Sequence, residues 1–287
     1  MNERFSLHKG AIGHNAGTWI RPDNGEPVGH ASLMAEMARQ RVVLLGETHD
    51  RYDIHRWQLH VAAGIMAHRS NIALGFEMFP RRVQPVLDAW GEGSMSADEF
   101  LEEVEWTSVW GFAPELYLPL FHFCREMKLP MYALNCRRTL VTEVGKLGWD
   151  AIAEEDRDGL SPSKPATMAY RRYLFEITQN PAMPNRKAKS PDDPALDRFV
   201  RAQQTWDRAF ACNIAHVAEK PGAPLVIGII GRGHLEYGHG TPFQLDDLGI
   251  DRVSVLLPSD APEIDTDAQA GIADALYRLE RPDPGKP

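Results

Sequence analysis

Short apolar runs alternate with longer stretches of helical periodicity, and this alternation restricts the fold of the chain more than any other feature. The runs lie at residues 41–45, 71–76, 131–134, 225–230 and 252–257. Most are rich in leucine and β-branched residues, as is typical of strands that are buried on both faces. The segments between them carry apolar residues three or four positions apart, most clearly over residues 196–218. The sequence therefore predicts an α/β fold with a mainly parallel sheet flanked by helices.

The chain divides into a short lead-in and one long α/β unit. Residues 1–34 contain many glycines and prolines with little periodicity, and we expect them to be irregular. Residues 35–287 are expected to form a single domain with a Pro-rich insertion at about 155–195. Six prolines fall between positions 161 and 194. Because long Pro-rich loops in compact domains are usually functional or disordered, we expect a mobile segment that covers the mouth of a site.

Composition excludes several classes of function. The net charge of −9 over 287 residues disfavours binding to nucleic acid phosphates. The longest apolar run is far shorter than the roughly 20 residues of a membrane span. The first residues show no apolar signal-peptide core and no lipid-acceptor cysteine, which predicts a cytoplasmic protein. The three cysteines lack CxxC spacing, which favours reduced thiols.

Polar residues follow four of the predicted strands directly. They are Glu47 and His49 after the first strand, Glu77 after the second, Asn135 and Arg137 after the third, and Arg232 and His234 after the fourth. Because the carboxyl ends of parallel strands share one edge of the sheet, we expect these side chains to converge in one pocket. A single histidine or glutamate in such a place is more often a helix cap or a solvated loop residue. Four clusters at four strand ends favour a site.

The residue types in this set allow two kinds of chemistry. A histidine beside carboxylates suits general acid–base work on a water or a hydroxyl group. The same imidazoles and carboxylates could bind a divalent metal, although the sequence has no HExxH spacing. Neither GETHD at residues 46–50 nor GRGH at residues 231–234 matches a phosphate-binding loop. Nucleotide binding is therefore not expected.

Three further residues stand beside the two histidine motifs. His55 lies six residues beyond His49 and is expected to face the same mouth. Tyr52 and Tyr237 could each bind a ligand through the phenol group, and each could equally well serve packing.

Five blocks of the sequence, taken in order, resemble the ChaN-like haem-binding uptake family of the Tiki and erythromycin-esterase-like superfamily. They are VVLLGETHDRYDIHRWQLHV, GFEMFPRRVQPVLDAW, WTSVWGFAPELYLPLFHFCREMKLPMYALNCRR, RAQQTWDRAFACNIA and VIGIIGRGHLEYGHGTP. The resemblance covers about residues 35–257, and only residues 150–195 contain no matching block. One block such as GETHD would be a weak signal, whereas five in order are specific.

The resemblance implies an α/β fold with its site at the sheet edge and haem as the ligand. It also implies tyrosine ligation of the iron at a homodimer interface and a histidine that contacts a propionate. The tyrosines that could supply the ligand are Tyr52, Tyr117, Tyr170, Tyr173 and Tyr237. The esterase-like relatives use a histidine after the first strand and a glutamate after the second, and His49 and Glu77 occupy the matching places.

Three functions remain open from the sequence. The first is haem binding in iron or haem handling, with haem propionates paired by arginines near the expected mouth. These arginines are Arg81, Arg82, Arg137, Arg138 and Arg232. The second is a hydrolase in which His49 is the base, Glu47 and Glu77 orient it or bind a divalent metal, and His234 stabilises charge. The third is a partner-binding protein that keeps the pocket for stability.

Overall fold

The computed structural model describes residues 11–180 and 187–280. It confirms the predicted α/β fold, since a mainly parallel sheet is flanked by helices. The strands are β1 (Ile12–Gly13), β2 (Trp19–Ile20), β3 (Pro27–Val28), β4 (Val42–Glu47), β5 (Ile72–Pro80), β6 (Met131–Asn135), β7 (Leu225–Gly231), β8 (Val253–Ser259), β9 (Glu263–Ile264) and β10 (Ala275–Arg278). Eight of them form one sheet in the order β3-β2-β10-β8-β4-β7-β5-β6. From β10 to β6 all neighbours are parallel.

The helices form a layer on each face of this sheet. They are α1 (His30–Met37), α2 (Tyr52–His68), α3 (Gln84–Glu92), α4 (Ala97–Glu103), α5 (Trp106–Val109), α6 (Leu118–Glu126), α7 (Arg138–Leu147), α8 (Met168–Thr178), α9 (Asp197–Ala218) and α10 (Thr241–Asp247). Alternate side chains of β4 enter two cores, because successive strand residues point to opposite faces. Val43 and Leu45 pack with α1 and α2, whereas Val42 and Leu44 pack with Phe210 of α9. Among the described helices, none has both the length and the apolarity that a membrane crossing requires.

The central strands extend further at their carboxyl ends than the sequence predicts. Glu47 is the last residue of β4, and Glu77, which was expected to follow its strand, lies inside β5. The pairing of β5 with β6 shifts register between Phe76 and Pro80. Such an irregularity redirects side chains at a sheet edge. The apolar pattern could not show this, because a buried glutamate interrupts it.

The segment before residue 35 is more regular than expected. Strands β2 and β3 extend the main sheet through antiparallel pairing with β10 and with each other. Trp19 and Ile20 are buried. Residues 11–34 thus contain strands that are too short to show an alternating pattern in the sequence, and the division of the chain into a lead-in and one domain stays a prediction.

The Pro-rich insertion contains helix α8, which begins after Thr167, whose hydroxyl accepts a hydrogen bond from the Tyr170 backbone N–H. Tyr170 and Leu174 are buried against Leu196 and Val200, next to and within α9. Residues 181–186 of the insertion lie outside the described part of the chain. A mobile cover therefore stays a prediction, and the described part of the insertion contributes a packed helix.

Candidate functional site

The candidate site lies where the adjacent strands β4, β7 and β5 end. Gly231 of β7 is paired with Glu47 of β4, and its backbone N–H donates a hydrogen bond to Glu77 Oε2 of β5. A Cβ atom on Gly231 would lie 3.0 Å from His49 Cε1 and 3.3 Å from Glu77 Oε2. Glycine at this position thus lets side chains from the two flanking strands approach each other.

The first histidine is held from behind by a buried carboxylate. His49 Nδ1 lies 2.7 Å from Glu47 Oε1, and Glu47 is 1% exposed. The Tyr117 hydroxyl lies 3.2 Å from both Glu47 Oε1 and the His49 carbonyl oxygen. A carboxylate on Nδ1 favours the tautomer with the proton on that nitrogen. His49 Nε2 is therefore left as the reactive nitrogen.

The second histidine has the same arrangement. His234 Nδ1 lies 2.8 Å from Asp207 Oδ1, and Asp207 is completely buried in α9. The Tyr170 hydroxyl donates to Asp207 Oδ2 at 2.6 Å, and the Thr241 hydroxyl lies 3.4 Å from Oδ1. These contacts fix the carboxylate and, through it, the imidazole ring.

Sequence reasoning missed Asp207 as part of the site. The apolar spacing of Trp206, Phe210 and Ile214 assigns this helix to the core, and the core assignment concealed the aspartate. The signal that could have revealed it is a carboxylate beside the apolar face of a strongly amphipathic helix, because charged residues are almost never fully buried without a partner.

The pKa values of the three central groups are all raised. Burial lowers the pKa of His49, but its hydrogen bond to Glu47 and the charges of Glu77 and Glu47 outweigh burial. Burial likewise opposes protonation of His234, and Asp207 and Glu77 together raise its pKa above the ordinary value. Burial raises the pKa of Glu77, against the opposing effect of both histidines. Groups shifted in this way are characteristic of acid–base sites.

These shifts predict that the folded protein loses stability as pH rises above 6.5. A histidine with a raised pKa binds its proton more tightly in the folded state, so its contribution is complete below the unfolded value of about 6.5 and is lost through the folded pKa. His14, His30 and His239 have lowered pKa values, so their protonation changes the free energy of unfolding only below pH 6.5. Urea unfolding between pH 6.5 and 9 should show a decline in the free energy of unfolding. The decline should be smaller in a His49→Gln/His234→Gln double variant, where Glu77 still contributes because its pKa is also raised, and an equal decline in that variant would refute the assignment.

A cavity of about 630 Å³ opens in front of these groups. Its volume lies within the range of about 300–1,000 Å³ that is usual for small-molecule sites. His49, Glu77 and His234 form part of its wall. Aromatic rings and arginines form much of the remainder, namely Trp110, Phe112, Trp206, Arg82, Arg137 and Arg138.

Of the other predicted site residues, some line the cavity and some lie behind it or away from it. Asn135 and Arg137 line the cavity, as the strand ends predict. Glu47 lies behind His49. Arg232 is paired with Glu236 and does not line the cavity. Arg81 donates to the Asp158 carbonyl oxygen and is also absent from the lining.

His55 was expected to face the mouth, but it is buried behind Glu47. Its Nε2 lies 3.1 Å from the His49 carbonyl oxygen, and its Nδ1 lies 3.1 Å from Gln58 Oε1. Glu47 Oε2 makes no well-aligned hydrogen bond, although His55 Nδ1 is 3.2 Å away. His55 thus supports the Glu47–His49 pair and does not reach a ligand in the cavity.

None of the five candidate tyrosines lines this cavity. Tyr117 and Tyr170 are buried, and their hydroxyl groups contact Glu47 and Asp207. Tyr173 donates to Glu236. Tyr52 is 47% exposed beneath the Arg56 guanidinium, and Tyr237 lines a separate cavity of about 400 Å³. The sequence does not show burial, which removes Tyr117 and Tyr170 from any ligand, and ligation of haem by a tyrosine stays a prediction.

A divalent metal ion is a further candidate ligand of the site. Glu47, His49 and Glu77 each offer one ligand atom, and these atoms lie within 4.8 Å of one another. Nitrogen and carboxylate donors suit several divalent ions. Because His49 Nδ1 is already bonded to Glu47, an ion that preserved this hydrogen bond would use His49 Nε2 and Glu77.

Gly240 gives a direct test of how tightly the second histidine is packed. A Cβ atom there would lie 2.5 Å from the His234 carbonyl oxygen and 2.6 Å from Asp207 Oδ1. Neither a backbone oxygen nor a buried carboxylate can move aside, so Gly240→Ala should destabilise the protein by about 1–3 kcal/mol. Gly91→Ala is the control, since a Cβ at this position in α3 meets nothing within 4 Å. Equal urea midpoints for both variants would show that the packing around Asp207 is loose.

Comparison with known proteins agrees with this fold. The model of the family described as haem-binding uptake, Tiki superfamily, ChaN, matches residues 33–245. A solved structure titled as cofacial haem binding to ChaN of Campylobacter jejuni is similar, with a TM-score of 0.69 and 21% identity over 90% of this chain and 95% of that one. No curated protein matches the chain significantly.

Two further solved structures are less similar. The type III effector HopBA1 has a TM-score of 0.49 and 13% identity over 91% of this chain and 96% of that one. An open conformation of an erythromycin esterase mutant, EreC H289N, has a TM-score of 0.48 and 11% identity, with 84% and 76% covered. The match of the family model shows that the chain belongs to the haem-binding uptake (ChaN) family of the Tiki superfamily.

Proposed function

We propose that the cavity hydrolyses an ester or amide bond of a small molecule. The observation that carries this proposal is the presence of two imidazoles, each held at Nδ1 by a buried carboxylate, on either side of the buried Glu77. Two such pairs in one cavity provide a base and an acid at the same time. General acid–base catalysis by positioned histidines contributes about 10²–10⁴-fold to a rate.

The proposed reaction follows from the protonation state of the two histidine side chains. Neutral His49 accepts a proton at Nε2 from a water molecule, whose oxygen attacks the carbonyl carbon of the substrate. Glu47 stabilises the imidazolium that forms. Protonated His234 stabilises the negative oxygen and donates its Nε2 proton to the alcohol or amine that leaves. One water is consumed, and one acid and one alcohol or amine are released.

Glu77 takes part in both the attack by water and the departure of the alcohol or amine. Its carboxylate accepts the Gly231 N–H, and its charge raises the pKa of both histidines. In this role Glu77 orients the water and balances charge as the proton moves from one side of the site to the other. Glu77→Gln keeps the shape of the side chain and removes its charge.

The test is a panel of esters and amides with small, aromatic and anionic acyl groups, assayed by mass spectrometry. Wild-type protein should release acid from at least one member, and Glu77→Gln should reduce kcat/KM by 10²-fold or more. The acid limb of the wild-type pH profile should lie above pH 6.5, because the pKa of His49 is raised. Turnover that Glu77→Gln leaves unchanged would refute the proposal. Parallel assays with EDTA show whether a divalent ion takes part.

Haem binding, in iron or haem handling, is a second candidate, and membership in the haem-binding family favours it. His49 Nε2 or His234 Nε2 could hold the haem iron, which would supply redox chemistry when bound, and the cavity arginines could pair with propionates. Haem would need only one histidine–carboxylate pair at the iron, with the other free to contact a propionate, whereas hydrolysis uses both pairs as base and acid, which is why the hydrolytic function is preferred.

A haem titration separates the two candidates. If haem binds in the cavity, wild-type protein should shift the Soret band, and a His49→Ala/His234→Ala double variant should not. An unchanged shift in the double variant would place haem outside the cavity, and no shift in wild-type protein would exclude the haem candidate.

A further inference from the structure

The wall of the cavity carries a charge opposite to that of the whole protein. The chain has a net charge of −9, yet the cavity is lined by three arginines and by Glu77 as its only carboxylate among the described residues. Two of the arginines lie at the start of α7, and Arg82 lies just after β5, the strand that carries Glu77. A cleft lined by one sign of charge concentrates ligands of the opposite sign.

Two of these arginines already have partners. Arg82 makes a double hydrogen bond with Glu105, at 2.8 and 3.0 Å. Arg137 lies 3.6 Å from Asp156 and 4.0 Å from Asp158. By contrast, the Arg138 side chain makes no ion pair or hydrogen bond with any residue in 11–180 or 187–280. Arg138 is therefore the cation in this wall that is free to pair with a ligand.

The walls beside the histidines are aromatic. The His49 ring makes an edge contact with Trp110 at 4.7 Å between centroids and lies 5.2 Å from Phe112. On the other side, Trp206 lies 6.2 Å from the His234 ring. All three aromatic rings line the cavity. A ligand that spans the cavity meets polar groups at the histidines, apolar rings along the sides and a positive charge at Arg138.

We propose that the substrate carries an anionic group, a carboxylate or a phosphate, which Arg138 binds while the reactive bond lies at His49 and His234. This inference rests on the proposed hydrolytic function and adds the class of substrate. Arg138 determines specificity, and Trp110 and Phe112 hold the apolar part of the substrate between the two polar ends. A guanidinium group suits this role, because it can form paired hydrogen bonds with the oxygens of either anion.

The test measures binding without turnover. Isothermal titration calorimetry would compare benzoate, phenylphosphonate and the neutral acetophenone, none of which contains an ester or amide bond. Wild-type protein should bind at least one of the two anions tenfold or more tightly than acetophenone, and the preferred anion identifies the group. Arg138→Gln should weaken binding of that anion at least tenfold with an unchanged melting temperature, and Arg138→Lys should restore part of it.

Arg172→Gln is the matched control, since Arg172 is exposed on α8 and does not line the cavity. It should bind the anion as wild-type protein does. Equal affinity of wild type for acetophenone and both anions, or an Arg138→Gln variant that binds as tightly as wild type, would overturn the inference. Anion binding without hydrolysis of any substrate in the panel would refute the proposed function alone, and hydrolysis without anion preference would refute this inference alone.

Discussion

Replacing His49 by alanine should lower kcat/KM for a hydrolysed substrate by about 10²–10⁴-fold, because the site loses its general base. Stability should change little. Glu47 keeps its contacts with the Tyr117 hydroxyl and His55 Nδ1 when the His49 side chain is removed. We expect a shift in melting temperature below about 4 °C, which corresponds to roughly 1 kcal/mol.

The control for this variant is His68→Ala, which removes an exposed histidine from the end of α2. It should retain wild-type activity. A His49→Ala variant that loses several kcal/mol of stability and keeps its activity would mean that the Glu47–His49 pair serves folding.

Unlike the His49→Ala substitution, replacement of Asp207 should greatly lower the stability of the protein. Asp207→Ala leaves the Tyr170 hydroxyl and His234 Nδ1 without an acceptor in a buried region. Removing one partner of a buried charged pair costs about 3–5 kcal/mol. Chemical denaturation should therefore show a marked decrease in the unfolding midpoint, together with loss of activity.

Asp207→Asn separates charge from shape at the same position. An amide fills the same space and still accepts one hydrogen bond, so most of the stability should return. The pKa of His234 should fall without the carboxylate, since Asp207 raises it. We expect the alkaline limb of the pH–rate profile to move to lower pH and the maximal rate to fall by about 10²-fold. A wild-type profile for Asp207→Asn would show that the charge of Asp207 does not act through His234.

Much of the site could be predicted from the sequence because it lies on strands. Buried parallel strands have nearly continuous apolar sequences, and their carboxyl ends share one edge of the sheet. This logic brought together Glu47, His49, Glu77 and His234 without any long-range information. Polar residues that follow an apolar run are therefore a sound starting point for locating a site in an α/β protein.

The remainder of the site depends on long-range packing. Asp207 comes from a helix more than twenty residues away from His234 in sequence, and its pattern resembles that of any core helix. Tyr117, directly before α6, and Tyr170 of α8 are candidates for ligation, but their hydroxyl groups point into the interior. Arg138 differs from Arg82 and Arg137 in lacking an ion-pair partner among the described residues. This difference depends on the folded structure and is not visible in the sequence.

The most direct test of the hydrolytic assignment is turnover in water enriched in oxygen-18, with the best substrate of the ester and amide panel. Wild-type protein should release acid that carries one heavy oxygen, since the water activated by His49 supplies the new carboxyl oxygen. The His49→Ala/His234→Ala double variant should release it no faster than buffer does. Release of unlabelled acid by wild-type protein, or no release by folded wild-type protein from any substrate in the panel, would contradict the assignment.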